Sequence, residues 1–181
     1  VLLAALSHPG RLYPVEVPDS EGLPGDLLLS VAATLLDHEV TFALTQPLRA
    51  SLANAIRRCS GAAQTVPERA DFIFVEGASS NNQIAAAKRG TSLYPDDGAT
   101  AVYQVPASHT SDPQSARATG VTLSGPGIPA PSNPLSLPLD IEELILLSTI
   151  NADYPMGVDA FILQGNRAVM GLPRSTRITV D

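Results

Sequence analysis

Strand-like and helix-like segments alternate along the chain, and this alternation limits its possible folds more than any other feature. VTFAL at 40–44 and DFIFVEG at 71–77 are short apolar segments rich in the β-branched and aromatic residues of buried strands. Each is followed by a longer segment whose composition and apolar spacing are typical of a helix. Alternating elements of this kind favour a layered α/β domain over separate helical and β halves.

Four full-length helices are predicted, and residues with known end preferences mark several of their limits. Asp26 and Asp140 are positioned to cap the first and the fourth, and Gly61 to end the second. The four segments are GDLLLSVAATLLDHE at 25–39, QPLRASLANAIRRC at 46–59, SNNQIAAAKRG at 80–90 and DIEELILLSTINADYP at 140–155. VLLAAL at 1–6 reads as the end of a further helix, whose start we expect to precede Val1.

The remaining segments are predicted to be strands, turns and loops. Three strands are expected within RLYPVEV at 11–17, DDGATAVYQV at 96–105 and RATGVTLS at 117–124. SHTSDPQSA at 108–116 has the composition of a surface loop, and Pro134 and Pro138 predict an irregular connection. Near the end of the chain, GVDAFIL, AVMGL and RITV are separated by turn residues, which predicts a C-terminal β-meander over 157–180.

Composition and charge exclude several classes of protein. The formal net charge of −7 argues against a general nucleic-acid or anionic-membrane surface, because such surfaces need clustered Lys and Arg. No apolar stretch reaches the roughly 20 residues of a membrane-spanning helix. Cys59 is the only cysteine, so no intrachain disulfide can form, and a reducing cytoplasm is the expected location. The length of 181 residues suits a single domain over 1–181.

Asp159 is the anomalous residue of the C-terminal segment. A carboxylate between Val158 and Ala160, in a strand this apolar, must lie at an exposed edge or be paired. Arg174 follows the next predicted strand and is the nearest suitable partner. A structural ion pair is the prediction; the alternative is an anion-binding Arg174 that Asp159 orients.

Other motifs give weaker indications of chemistry. LSGPGIP at 123–129 is similar to phosphate-binding loops, but Pro126 lacks an N–H and the Lys of a Walker loop is missing, so a strand-ending turn is the prediction. His8, His38 and His109 are scattered, which predicts no metal site. No nucleophile elbow is present, and Cys59 at a helix end is interpreted as structural.

Five segments carry a resemblance to a known family. LLAALSHPGRL, DLLLSVAATLLDHEVTFAL, ADFIFVEG, LSGPGI and YPMGVDAFILQGNRAVMGLPRSTRITV occur in the order found in the PhnH family, the H subunit of the bacterial carbon-phosphorus lyase core complex. The last segment is the most specific, because it joins a Pro-x-Gly-Val-Asp strand to a Pro-Arg-Ser-Thr segment. The resemblance spans almost the whole chain and begins partway through the family's first helix, so we expect a PhnH-like domain whose N-terminal helix is truncated.

The resemblance implies a three-layer α/β/α sandwich related to the pyridoxal-phosphate transferase fold, without that cofactor. Lys88 is the only lysine, and nothing around it in the sequence indicates a cofactor pocket. We therefore expect neither a cofactor nor a metal. The motifs shared with the family, together with the Asp159–Arg174 pairing argued above, indicate these candidates for substrate binding: Ser124, Gly125, Gly127, Asp159, Arg174, Ser175 and Thr176. No catalytic residue follows from the resemblance.

The resemblance also implies a function: the chain is expected to be a subunit that works with the G, I and L proteins. Together they convert ATP and methylphosphonate into alpha-D-ribose 1-methylphosphonate 5-triphosphate during phosphonate catabolism. The expected partners are a second copy of the chain and the G, I and J subunits, with a nucleotide or phosphonate as a possible ligand. Two roles stay open: a structural subunit with no substrate site of its own, and a subunit that supplies part of an anion-binding site.

Overall fold

The computed structural model describes residues 1–17, 26–45, 50–106, 119–129 and 134–180. Within these ranges the chain forms four α-helices, three short 3₁₀ turns and ten strands. The helices are α1 (Leu2–Ser7), α2 (Leu27–Leu35), α3 (Ala50–Ser60) and α4 (Ile141–Ile150). The strands are β1 (Leu12–Pro14), β2 (Thr41–Leu44), β3 (Ala63–Gln64), β4 (Phe72–Glu76), β5 (Thr100–Val105), β6 (Thr119–Ser124), β7 (Leu135–Leu137), β8 (Asp159–Gln164), β9 (Ala168–Leu172) and β10 (Arg177–Val180).

Seven strands form one mixed sheet in the order β1-β9-β8-β5-β4-β2-β3. The pairs from β8 through β5, β4 and β2 to β3 are parallel, whereas β9 pairs antiparallel with both β8 and β1. A second, antiparallel sheet has the order β10-β6-β7. The predicted α/β class is confirmed as a mixed α/β fold with two sheets.

Two apolar clusters cover the two faces of the large sheet. Phe74 in β4 belongs to the cluster that contains residues of α1, α2 and α3, while its neighbours Ile73 and Val75 belong to the other. That second cluster includes buried residues of α4 and of the small sheet. This alternation follows from the two-residue period of a strand, which sends successive side chains to opposite faces. Burial on both faces explains why β4 is apolar from Phe72 to Val75.

Two of the three predicted helix ends are confirmed by their local geometry, and the third only in position. Asp26 caps α2, because its carboxylate accepts a hydrogen bond from the Leu29 N–H at 3.1 Å. Gly61 follows α3 with φ of 77°, a left-handed conformation that suits glycine at the end of a helix. Asp140 lies at the N-cap of α4, but its side chain makes no capping hydrogen bond.

The helix predicted over 80–90 is wrong. Only a 3₁₀ turn at Gln83–Ala86 forms there. Asn81 and Asn82 adopt positive φ values of 51° and 66°, which bend the chain before a helix can begin. After the turn, Ala87 is extended and Lys88 is held by an ion pair to Asp71. The turn and this contact override the helical preference of the Ala-rich segment.

The predicted C-terminal meander is wrong in its third strand. The strands β8 and β9 form the expected antiparallel hairpin, but β10 pairs with β6 in the second sheet. The turn at 173–176 carries the chain from one sheet to the other. The connection between Pro134 and Pro138 also differs from expectation, because β7 forms there as a three-residue strand paired with β6.

The fourth helix is shorter than predicted, and the end of α4 contributes to the candidate site. The helix ends at Ile150 rather than near Tyr154. Asn151 follows it, and its side chain accepts a hydrogen bond from the Val158 N–H at 2.8 Å and donates one to the Val158 carbonyl at 3.1 Å. These two bonds fix the end of α4 beside the start of β8. The predicted loop at 108–116 lies outside the described residues.

Candidate functional site

Asp159 and Arg174 form the predicted ion pair. Asp159 begins β8, and Arg174 lies in the turn after β9, so the hairpin brings the two residues together. The Arg174 guanidinium donates two hydrogen bonds to Asp159 Oδ2, from Nε at 3.1 Å and from Nη2 at 2.6 Å. The Arg174 backbone N–H donates to Asp159 Oδ1 at 2.8 Å. One carboxylate therefore anchors both the side chain and the backbone of the turn.

The Arg174 guanidinium also has a backbone partner outside the hairpin. Arg174 Nη1 donates a hydrogen bond to the Pro95 carbonyl oxygen. A Cβ atom added to Gly98 would collide with the same Nη1 and with the Gly157 carbonyl, so only glycine fits at position 98 without rearrangement. Neither Pro95 nor Gly98 was predicted, since they are far from Arg174 in sequence and carry no side-chain signal of this contact.

The turn that carries Arg174 is closed by its own backbone. The Thr176 N–H donates a hydrogen bond to the Pro173 carbonyl at 2.8 Å. Gly125, which follows β6 with φ of 134°, lies against this turn, and a Cβ there would come within 2.7 Å of the Ser175 carbonyl oxygen. The close approach of two backbones explains why a glycine is needed at position 125.

A cavity of about 710 Å³ opens beside this turn. It lies among the end of α4, the residues that follow it, β6 and β10, and its lining combines five of the predicted site residues with others that were not predicted. The predicted five are Ser124, Gly125, Arg174, Ser175 and Thr176, and the others include Ser148, Asn151, Tyr154, Arg177 and Thr179. A volume of this size is within the range of small-molecule sites.

Two predicted residues lie outside this cavity. Asp159 lines a smaller one of about 300 Å³, together with Arg174, Ser175 and Pro95. Gly127 packs elsewhere: with φ of 80°, it lies so close to the Ser7 carbonyl and Pro9 that a Cβ would collide with them. The strand-ending turn predicted for this segment is present, because the Ile128 N–H donates to the Gly125 carbonyl at 3.2 Å.

Lys88 is engaged in a polar cluster on the large sheet. Its ammonium group forms an ion pair with Asp71, and Asp71 Oδ2 also accepts hydrogen bonds from the Thr41 N–H and hydroxyl, each at 2.7 Å. Burial by itself would raise the pKa of Asp71, but the hydrogen bonds from Lys88 and Thr41 outweigh it and lower that pKa. The cluster joins the start of β2 to the segment before β5.

A buried acid beneath the large sheet was missed by the sequence analysis. Glu143 in α4 is 1% exposed and accepts hydrogen bonds from the Tyr103 hydroxyl at 2.7 Å and the Ser79 hydroxyl at 3.4 Å. Burial, with the nearby Glu143 carboxylate second, raises the pKa of Tyr103 well above its ordinary value. The sequence placed Glu143 in the first turn of a helix, where a solvated carboxylate is the usual arrangement, so no signal marked it as buried.

The scattered histidines and the single cysteine occupy separate positions. His8 Nδ1 lies 3.1 Å from the Ala4 carbonyl and 3.0 Å from the Tyr13 hydroxyl. His109 lies outside the described residues. Across the described ranges, no three His, Cys, Asp or Glu side chains are grouped to hold a metal ion. Partial burial raises the pKa of the Cys59 thiol, which disfavours the reactive thiolate.

Comparison with protein families decides the relationship that the motifs suggested. A family model described as bacterial phosphonate metabolism protein (PhnH) matches residues 1–179. The chain belongs to the PhnH family. It is therefore a protein of bacterial phosphonate metabolism. No curated protein matches the sequence significantly. Among the described residues of this PhnH-family chain, no helix is both long and apolar enough to cross a membrane.

Proposed function

We propose that this chain is the H subunit of a carbon-phosphorus lyase complex. In this role it acts with the G, I and L proteins to form alpha-D-ribose 1-methylphosphonate 5-triphosphate from ATP and methylphosphonate. The proposal includes a single domain over 1–181, a fold related to the pyridoxal-phosphate transferases, a cytoplasmic location, self-association as a homodimer and contact with the G, I and J subunits. Its support is membership of the PhnH family across residues 1–179.

Within that complex we assign the chain a role in assembly and binding rather than in bond breaking. The observation that carries this assignment is the pairing of Arg174. Its guanidinium makes hydrogen bonds to Asp159 and to the Pro95 carbonyl, and its side chain is only 13% exposed. A side chain held in this way stabilises the fold and is poorly placed to exchange partners during a reaction.

Exposed apolar side chains support a role in contacts with other subunits. Leu93, Tyr94 and Tyr154 are 77%, 57% and 65% exposed, and Ile145 on α4 is 52% exposed. Exposed aromatic and aliphatic side chains are typical of the contact residues of protein complexes. The binding part of this role is supported by the 710 Å³ cavity beside Arg174, and the alternative is a structural subunit with no substrate site of its own.

Co-purification tests the assembly proposal directly. Tagged G and I subunits should retain the J subunit and this chain at fixed stoichiometry, and a chain with Ile145→Glu and Leu93→Glu should be retained less well. These exposed positions are chosen because the changes add charge at the surface without removing buried contacts. Arg58→Gln is the matched surface control on α3. Failure of the unmodified chain to co-purify with any lyase subunit would refute the proposal.

A further inference from the structure

The cavity beside the turn at 173–176 has an unusual charge for this protein. Two Arg and five Ser or Thr residues are among its 13 lining residues, and no Asp or Glu is. The chain as a whole has 18 acidic and 11 basic residues. The lining contains no carboxylate, and the charge of Arg174 is already compensated by Asp159, so Arg177 supplies the uncompensated positive charge of the described lining, which favours anions over cations.

Thr176 provides a second, independent observation. Its side chain is 4% exposed, and its hydroxyl oxygen has no hydrogen-bond partner among the described parts of the chain. Its backbone N–H is already bonded to the Pro173 carbonyl. Buried hydroxyl groups nearly always have a partner, since an unpaired one costs free energy. The hydroxyl oxygen is itself fully buried behind this wall of the cavity, so a ligand or an ordered water reaches it only after a small shift of the wall.

Arg177 provides positive charge at the rim of the cavity. It is exposed and forms no ion pair within the described ranges. In the pairing of β10 with β6, Arg177 lies directly opposite Ser124. Opposite residues of an antiparallel pair present their side chains on the same face of the sheet, and both of these residues line the cavity. Arg177 and Ser124 are thus placed to contact one ligand group.

Arg174 has a different role from Arg177. The bonds to Asp159 and the Pro95 carbonyl hold the Arg174 guanidinium in place and orient the turn on which Thr176 lies. We regard Arg174 as a positioning residue, and Arg177 and Thr176 as the residues that contact the ligand.

We propose that this cavity binds the phosphate or phosphonate group of an organic molecule, with Arg177 as the cation and Thr176 as the buried hydroxyl donor. Arginine and hydroxyl groups are the usual donors to the oxygens of such groups. The volume of about 710 Å³ exceeds that of a single phosphate and leaves room for an organic substituent. The choice of phosphorus oxyanions over other anions rests on the proposed function, whereas the preference for an anion rests on the cavity itself.

Isothermal titration calorimetry on the full chain tests the site without the other subunits. The titrants are ATP, methylphosphonate and inorganic phosphate, with sulfate as a reference anion. We expect at least one phosphorus anion to bind with a Kd below about 1 mM and more tightly than sulfate, and binding to weaken as salt is added. Comparison of the three titrants distinguishes a nucleotide, a phosphonate and free phosphate as the source of the group.

Three variants identify the residues. Arg177→Gln should raise the Kd about tenfold or more, as expected for loss of hydrogen bonds to a charged group. Thr176→Val preserves the shape of the side chain and should also weaken binding, while its midpoint of urea unfolding stays equal to or above that of the unmodified chain. Arg58→Gln removes the same charge from α3 and should leave the Kd unchanged.

Four results would overturn the proposal. The first is that no phosphorus anion binds with a millimolar or tighter Kd, and the second is that sulfate binds at least as tightly as the phosphorus anions. The third is that Arg177→Gln and Arg58→Gln change the Kd equally, and the fourth is that Thr176→Val lowers the midpoint of urea unfolding. The last result would mean that the hydroxyl has a stabilising partner within the chain. None of these results depends on the lyase complex, so failure of the site and failure to co-purify with other subunits are separable outcomes.

Discussion

Removal of the Asp159 carboxylate is the perturbation that most directly tests the role of Arg174. Asp159→Ala deletes the acceptor of three hydrogen bonds, two from the guanidinium and one from the Arg174 N–H. Breaking a fully buried ion pair costs about 3 to 5 kcal/mol, because the remaining charge is left buried. The side chains of Arg174 and Asp159 are 13% and 24% exposed, so water compensates part of this loss. We expect the free energy of unfolding to fall by about 2 to 4 kcal/mol.

Urea unfolding followed by circular dichroism measures this change. Asp159→Asn is the matched variant: it keeps an oxygen that can accept from the Arg174 N–H, but its NH₂ group faces the donors of the guanidinium, so its loss should be similar to that of Asp159→Ala. Arg174→Ala should also destabilise the protein, and the double variant should lose less than the sum of the two single losses. A loss below about 1 kcal/mol for Asp159→Ala would place the pair among surface salt bridges and refute its structural role.

Three further predictions concern other contacts. Tyr103→Phe removes the 2.7 Å donor to buried Glu143 and should lower the free energy of unfolding by about 1 to 3 kcal/mol in urea; an unchanged midpoint would contradict this. Because the folded-state pKa of Asp71 is lowered, its pair with Lys88 stabilises the protein above the unfolded pKa, and this contribution is lost as pH falls through the folded value. Between about pH 5 and 2, the free energy of unfolding of Asp71→Asn should therefore fall less than that of the unmodified chain. The difference should be under about 1 kcal/mol, because the pair is partly exposed, and identical pH profiles of the two proteins would argue against the pairing. Gly98→Ala should cost about 1 to 3 kcal/mol in thermal or urea unfolding, because its Cβ would displace the guanidinium of the ion pair, and a neutral effect would refute that contact.

The ion pair was predictable because its signal is local. Asp159 interrupts an apolar strand, and Arg174 follows the next strand after a tight turn, so a hairpin brings them together without further information. The backbone partners of Arg174 were not predictable. Pro95 is 79 residues away and accepts through its carbonyl oxygen, a group that every residue has.

The incorrect predictions have a similar origin. The Ala-rich segment at 80–90 has helical propensity, but Lys88 is held by Asp71, a contact with no trace in local sequence. The residues of β10 have the composition of a strand, yet composition does not specify which strand they pair with. Pairing with β6 rather than β9 is decided by the turn at 173–176 and by the apolar cluster that Ile178 joins.

The sequence by itself determined the class of fold, most of the strands, the capped start of α2, the glycine end of α3 and the partner of Asp159. These depend on side-chain patterns and turn residues within a few positions of one another, or across a single hairpin. Only the tertiary structure decided that β10 leaves the large sheet, that Glu143 is buried, and that Arg177 faces Ser124 beside the unpaired Thr176 hydroxyl. Those features arise where distant segments pack together, and the free energy of that packing depends on contacts between segments that no local pattern encodes.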